Sequence, residues 1–174
     1  MDTSEKGCAS RLAYDGKIVR VRIDHVELPN GSMTYREVVE HATAVAIAAE
    51  TEDGKILLIR QFRYPVGREI IEVPAGIVED EEDLFAAAKR ELREETGFDA
   101  REIREIYRFF TSPGFSNELI VLYHAKDIFP SFLPGDDDEF INLMPTSKEE
   151  CLRLIESGAI EDAKTLVALL MLLR

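Results

Sequence analysis

Glu91, Glu94 and Glu95 are the residues in this chain whose type and spacing most clearly suggest chemistry. Glu91 and Glu95 stand four apart and Glu94 three from Glu91, so on a helix their carboxylates gather on neighbouring positions of one side. A helix is predicted there. From Glu82 onward, Leu84, Phe85, Ala88 and Leu92 form an apolar stripe fit to lie on a core, and Gly97 suits the left-handed residue that ends a helix. A charge run is ordinarily a solvated face with pairs such as Arg90 and Glu94. Three carboxylates beside a buried stripe, at the C-terminal end of a helix, instead repel one another and oppose the helix dipole. A cation relieves both effects, and an all-oxygen donor set suits Mg²⁺ or Mn²⁺.

The stretch Gly76–Phe98 resembles the Nudix box, G-x5-E-x7-R-E-U-x-E-E-x-G-U with U an apolar residue. Gly76, Glu82, Arg90, Glu91, Leu92, Glu94, Glu95, Gly97 and Phe98 fill its fixed positions. The resemblance implies an α/β fold of the Nudix type, an α/β/α sandwich with a mixed sheet and an N-terminal β-hairpin subdomain. It implies a hydrolase in which Glu91, Glu94 and Glu95, with the backbone carbonyl of Ala75, hold two or three Mg²⁺ or Mn²⁺ ions against a diphosphate. Arg90 is then expected to orient the glutamates, and Glu82 is either a ligand or an acid at the helix start.

Further residues fall around the box. Arg60 and Arg63 leave one predicted strand and Arg68 follows, so an acidic chain sets three guanidinium groups just before its acidic segment. They are either surface charges or a fork for phosphate, which arginine geometry suits; the resemblance favours Arg63, in a Q-F-R run. Glu72, in E-x-P-A-G, is either a core-edge acid or a substrate contact. Pro113-Gly114 reads as a turn on its own chemistry. By resemblance it is more: Pro113 stands sixteen residues beyond Gly97, and the wording S-P-G-F-S-x-E matches the ADP-ribose-cleaving branch. That makes Pro113, Gly114, Phe115 and Glu118 expected substrate residues and ADP-ribose the expected substrate. GDP-mannose, FAD, NADH, a dinucleoside polyphosphate, or a non-catalytic ligand sensor remain alternatives. The loop from Leu133 to Phe140 is a solvated acidic turn by composition. Relatives of this branch place a catalytic glutamate near there, which makes Asp136, Asp138 and Glu139 candidates.

These residues need a scaffold, and the chain supplies the signals for one. Its 174 residues, 45% hydrophobic, suffice for one ordinary core. Strands are predicted at 43–49 and 55–62, nearly all apolar and so buried on both faces, then at 70–74, 101–110 and 118–125. A helix opens at Thr146 or Ser147 and a last, mostly apolar one spans 162–173. Residues 17–28 and 33–39 flank a Pro29-Asn30-Gly31 turn as a hairpin, while residues 1–15 read as a frayed terminus. By the resemblance, the expected division is residues 1–40, a β segment serving a homodimer, and residues 41–174, the hydrolase domain. A net charge of −13 disfavours a nucleic-acid partner. No signal or membrane-spanning run is seen, and Cys8 and Cys151 form no disulfide framework, so a cytoplasmic setting is expected.

Overall fold

The computed structural model describes residues 2–135 and 140–173, in two compact units. Asp136, Asp138 and Glu139 lie outside the described residues.

The first unit comprises Met1–Thr43 and Phe110–Leu119. Its strands β1 (Lys6–Asp15), β2 (Val19–Glu27) and β3 (Met33–His41) form an antiparallel sheet in that order. The β2–β3 turn is closed by Leu28 and Ser32, with Gly31 at φ 82° and Asn30 Oδ1 accepting from the Ser32 amide. β1 corrects the expectation of a frayed terminus. All ten of its residues are exposed, so no apolar alternation marks it, and backbone pairing to β2 with two register shifts holds it. The 110–119 segment is laced to β3: Val39 N donates to Phe115 O at 2.7 Å and His41 N to Asn117 Oδ1 at 2.9 Å.

The second unit, Ala44–Phe109 and Ile120–Arg174, is built on β4 (Ala44–Ala49). β4 pairs parallel with β9 (Leu119–Pro130) and antiparallel with β7 (Ala75–Ile77). β8 (Phe98–Phe110) completes a mixed sheet ordered β7-β4-β9-β8. A second, antiparallel sheet holds β10 (Ile141–Thr146), β5 (Ile56–Arg63) and β6 (Arg68–Glu72), with β5 central. Every residue of β4 is buried, as a strand covered on both faces must be. Ala44, Ala46 and Ala48 join a core with Ile56, Leu58 and Leu122, completed by Cys151 from α2 (Lys148–Glu156) and Leu169 from α3 (Ala163–Leu172). Successive side chains alternate across a strand, so Val45 and Ile47 point to the other face. There α1 (Leu84–Thr96) packs through Ala87, Ala88 and Leu92. This is the α/β/α arrangement.

Three local departures have physical causes. Phe85 is exposed rather than part of the stripe; Glu91 and Glu95 take its place on the buried side. The expected strand at 70–74 is β6, which ends at Glu72; Val73-Pro74 then separates it from β7, which starts at Ala75 and joins the other sheet. β10 lacks a strand signature, carrying Pro145 and an exposed Leu143. Among the described residues, no helix is long and apolar enough to cross a membrane.

Candidate active site

The box folds as a strand, a turn and a helix, and each part is fixed by local chemistry. Asp83 caps α1 by accepting from the amides of Phe85 and Ala86 at 2.9 and 3.2 Å. Gly97 ends the helix at φ 76°, its amide returning to Arg93 O. The helix is thereby set so that its glutamates face β7.

Two contacts register helix against strand. Glu95, buried, accepts from the Ala75 amide at 2.9 Å. Gly76, paired with Val45 of β4, lies so close to Glu91 that a Cβ built on it would overlap the carboxylate. Only a residue without a side chain lets that carboxylate rest on the strand.

The cation at the acidic cluster is Arg90. Its Nε and Nη2 each donate to Glu82 at 2.9 Å, its Nη1 to Glu91 at 2.7 Å and Glu94 at 3.0 Å, and its Nη2 to Ile77 O at 3.1 Å. The mutual repulsion expected of these glutamates is thus offset within the protein. Hydrogen bonding to Glu82 is the largest cause holding the Arg90 guanidinium more firmly protonated, and the Glu91 charge adds to it. In return the hydrogen bonds from Arg90 hold the pKa of the Glu82 carboxyl below the ordinary carboxylate value. Glu82 also accepts from the Glu79 amide at 3.1 Å, closing the turn before the helix.

Among the described residues, no three His, Cys, Asp or Glu side chains are already gathered to hold a metal. The box acids are spread along Arg90 and the Ala75 amide. Their chemistry nonetheless fits a hard divalent cation: Glu91, Glu94 and Glu95 offer carboxylate oxygens only, two of them on the buried side of α1 next to a strand stripped to glycine.

A second group of charges sits at the end of β5. Arg63 donates from Nε and Nη2 to the two oxygens of Glu72 at 2.7 and 2.9 Å, a parallel fork, and Glu72 is only 1% exposed. Lys164 of α3 also donates to Glu72. Burial alone would raise the Glu72 carboxyl, but Arg63 and Lys164 together outweigh it and hold the group below its ordinary value. Lys164 lies ninety-two residues from Glu72, and its one signal in the sequence is its place two residues after an Asp helix cap. Arg60 is exposed, and Arg68 pairs with Glu161 at 2.7 Å.

Pro113, Gly114 and Phe115 are exposed in the first unit, and Glu118 there accepts from Thr111 Oγ1 at 2.5 Å. Just before the undescribed acidic residues, Gly135 stands beside Glu94: a Cβ built on it would lie 3.8 Å from the Glu94 Cβ.

Fold and site together define a protein of the Nudix class. Residues 40–167 match the NUDIX domain, and the chain belongs to that family, whose hydrolases generally use divalent metals. It is 41% identical over 95% of its length to the ADP-ribose pyrophosphatase of Bacillus subtilis (strain 168), of which it covers 90%. To the methanol dehydrogenase activator of Bacillus methanolicus it is 40% identical over 94% of its length, covering 90% of that protein. Its fold matches a solved structure described as an ADP compounds hydrolase with a TM-score of 0.87, over 97% of this chain and 91% of that one, at 22% identity.

Proposed function

We propose that this protein hydrolyses the pyrophosphate bond of ADP-ribose to AMP and ribose 5-phosphate, using Mg²⁺ or Mn²⁺. The observation that carries the reaction class is the registration of α1 on β7, with Glu91 resting on Gly76 and Glu95 on the Ala75 amide. The substrate rests on Pro113, sixteen residues beyond Gly97, and on likeness to an ADP-ribose pyrophosphatase.

Glu91, Glu94 and Glu95, with the Ala75 carbonyl, would hold two or three cations. When bound, such ions spread the diphosphate charge and lower the pKa of a water. The chain's own residues do the rest. Arg90 fixes the orientation of Glu91 and Glu94. Arg63, its fork edge held by Glu72, is the arginine assigned to a phosphate oxygen, with Arg60 as an outer charge. Asp136, Asp138 and Glu139 supply the candidate base; the neighbouring Gly135, beside Glu94, supports that assignment. Pro113, Gly114, Phe115 and Glu118 are assigned to substrate recognition by their resemblance to the ADP-ribose-cleaving branch. Water adds to one phosphorus, the bridging P–O bond breaks, and the leaving phosphate takes the proton.

Residues 1–40 are assigned to a homodimer and 41–174 to hydrolysis. The fully exposed β1, with Leu12 and Tyr14 outward and Tyr35 exposed on β3, supports an apolar surface seeking a second copy. A monomeric mass by light scattering at micromolar concentration would refute this. Two unpaired cysteines fit a reducing cytoplasm.

Product analysis with ADP-ribose, GDP-mannose, FAD, NADH and diadenosine polyphosphates tests the reading. AMP and ribose 5-phosphate, formed fastest from ADP-ribose and abolished by chelator, are expected. Faster turnover of another compound overturns the substrate, and no turnover of any overturns the enzyme.

A further inference from the structure

The first turn of α3 grips the segment that leads into the box at two points. Thr165 Oγ1 accepts from the Val73 amide at 2.8 Å, and Lys164 donates to the Glu72 carboxylate. Both gripping residues are tied to one helix cap. Asp162 Oδ2 accepts from Thr165 N at 2.9 Å and Thr165 Oγ1 at 2.5 Å, while Oδ1 accepts from Lys164 at 3.1 Å. Glu72 therefore faces two cations, Arg63 from β5 and Lys164 from α3, with Asp162 balancing the second.

The four charges sum to zero, yet exposure is uneven. The side chains of Glu72, Lys164 and Asp162 are 1, 13 and 16% exposed, that of Arg63 38%. The network opens outward at Arg63 alone. Arg63 by itself would neutralise Glu72, so charge balance does not require Lys164. Its ammonium takes the same oxygen, Oε2, that receives Arg63 Nη2, and so fixes the plane of the carboxylate against which the guanidinium fork is seated. A buried ion pair is weak evidence for stability, since apolar side chains of similar volume serve as well; its better attested use is to fix one geometry.

We propose that Lys164 is a positioning residue for Arg63, acting through Glu72 to hold the guanidinium in one orientation at the end of β5. The consequence for turnover rests on the reading above in which Arg63 takes a phosphate oxygen; the positioning itself does not. The device joins Lys164 of α3 to Arg63 near the other end of the hydrolase fold, and neither lies in the box.

Lys164→Met, Lys164→Gln and Lys164→Arg test it with two readouts. The first, needing no substrate, is the hydrogen-exchange rate of the Arg63 Nε–H by NMR, assigned by its loss in Arg63→Lys. Loss of a charge-assisted partner is expected to speed exchange roughly tenfold in Met and Gln, with Arg close to wild type. The second is kinetic: a uniform binding contact loosened should raise the KM for ADP-ribose roughly tenfold while kcat stays within about twofold, again rescued by Arg. Unchanged exchange and KM in Met or Gln, with only the melting temperature lowered, would overturn the proposal and leave Lys164 a structural residue. An unprotected Arg63 Nε–H in the wild-type protein would overturn it outright, whichever variants fold. Failure of the wild type to cleave ADP-ribose would strike the proposed substrate instead, and the exchange rates would still decide the positioning.

Discussion

The carboxylate of Glu91 rests on Gly76, at a distance that leaves no room for a methyl group. Replacing Gly76 by Ala need not damage the fold, because the obstructing atoms are the far end of a flexible side chain. The expected stability loss is within about 1 kcal/mol, while Glu91 swings out of register and kcat/KM falls roughly 100-fold. Thermal denaturation beside steady-state kinetics separates the two. Undiminished activity would show that the position of Glu91 does not matter.

Glu94→Gln removes one of three acids paired with Arg90 but leaves Glu82 and Glu91 in place. Partly exposed, its side chain at 20%, and replaceable as a partner, Glu94 is expected to contribute within about 0.5 kcal/mol to stability. Turnover should fall by about three orders of magnitude if its oxygen is a metal ligand. Near-normal rates at saturating Mg²⁺, with cation binding followed by calorimetry, would remove Glu94 from that role.

Glu72 makes acid sensitivity predictable in sign. Its folded carboxyl titrates below the ordinary value of 4.5, so it stabilises the fold fully above that pH, and the contribution fades as pH falls through the lower folded value. Glu72→Gln at neutral pH leaves Arg63 and Lys164 beside an uncharged group, at a cost of about 3 kcal/mol. The gap between wild type and variant should therefore be widest at neutral pH and narrow below pH 4.5. Urea titrations at a series of pH values measure it; a gap that widens on acidification would contradict the pairing.

Asp83 offers a cleaner test of local structure, being exposed and, among the described residues, hydrogen-bonded within its own helix. Asp83→Ala should lower stability by about 1 kcal/mol through two unsatisfied amides. An unchanged urea midpoint would mean that tertiary packing alone holds α1.

Much of this was legible beforehand because the signals were local. The box, its Gly97 stop and the apolar β4 and β5 depend on neighbours within a turn or a strand, and the structure places them within a residue or two of expectation. What stayed hidden lacked such signals. β1 buries nothing and so shows no alternation, and β10 holds a proline. Glu72 looked equally like a core-edge acid or a substrate contact, because its partner Lys164 comes from the last helix. The repulsion inferred among the glutamates likewise missed that Arg90 reaches Glu82, eight residues back, as well as its near neighbours. Helical spacing reveals the near partners, not the remote one.

The first unit takes Met1–Thr43 and then, far along the chain, Phe110–Leu119, whose backbone completes the ladder at Val39. The first unit is thus complete only once residue 119 has been made, with most of the second unit's first stretch already behind it. Its opening strands must wait until residue 119 has been synthesised, by which time β4 to β8 of the second unit have already left the exit tunnel or are entering it. A truncation after residue 43 would not release a small independent module; it would yield a sheet missing the segment that is hydrogen-bonded to its last strand.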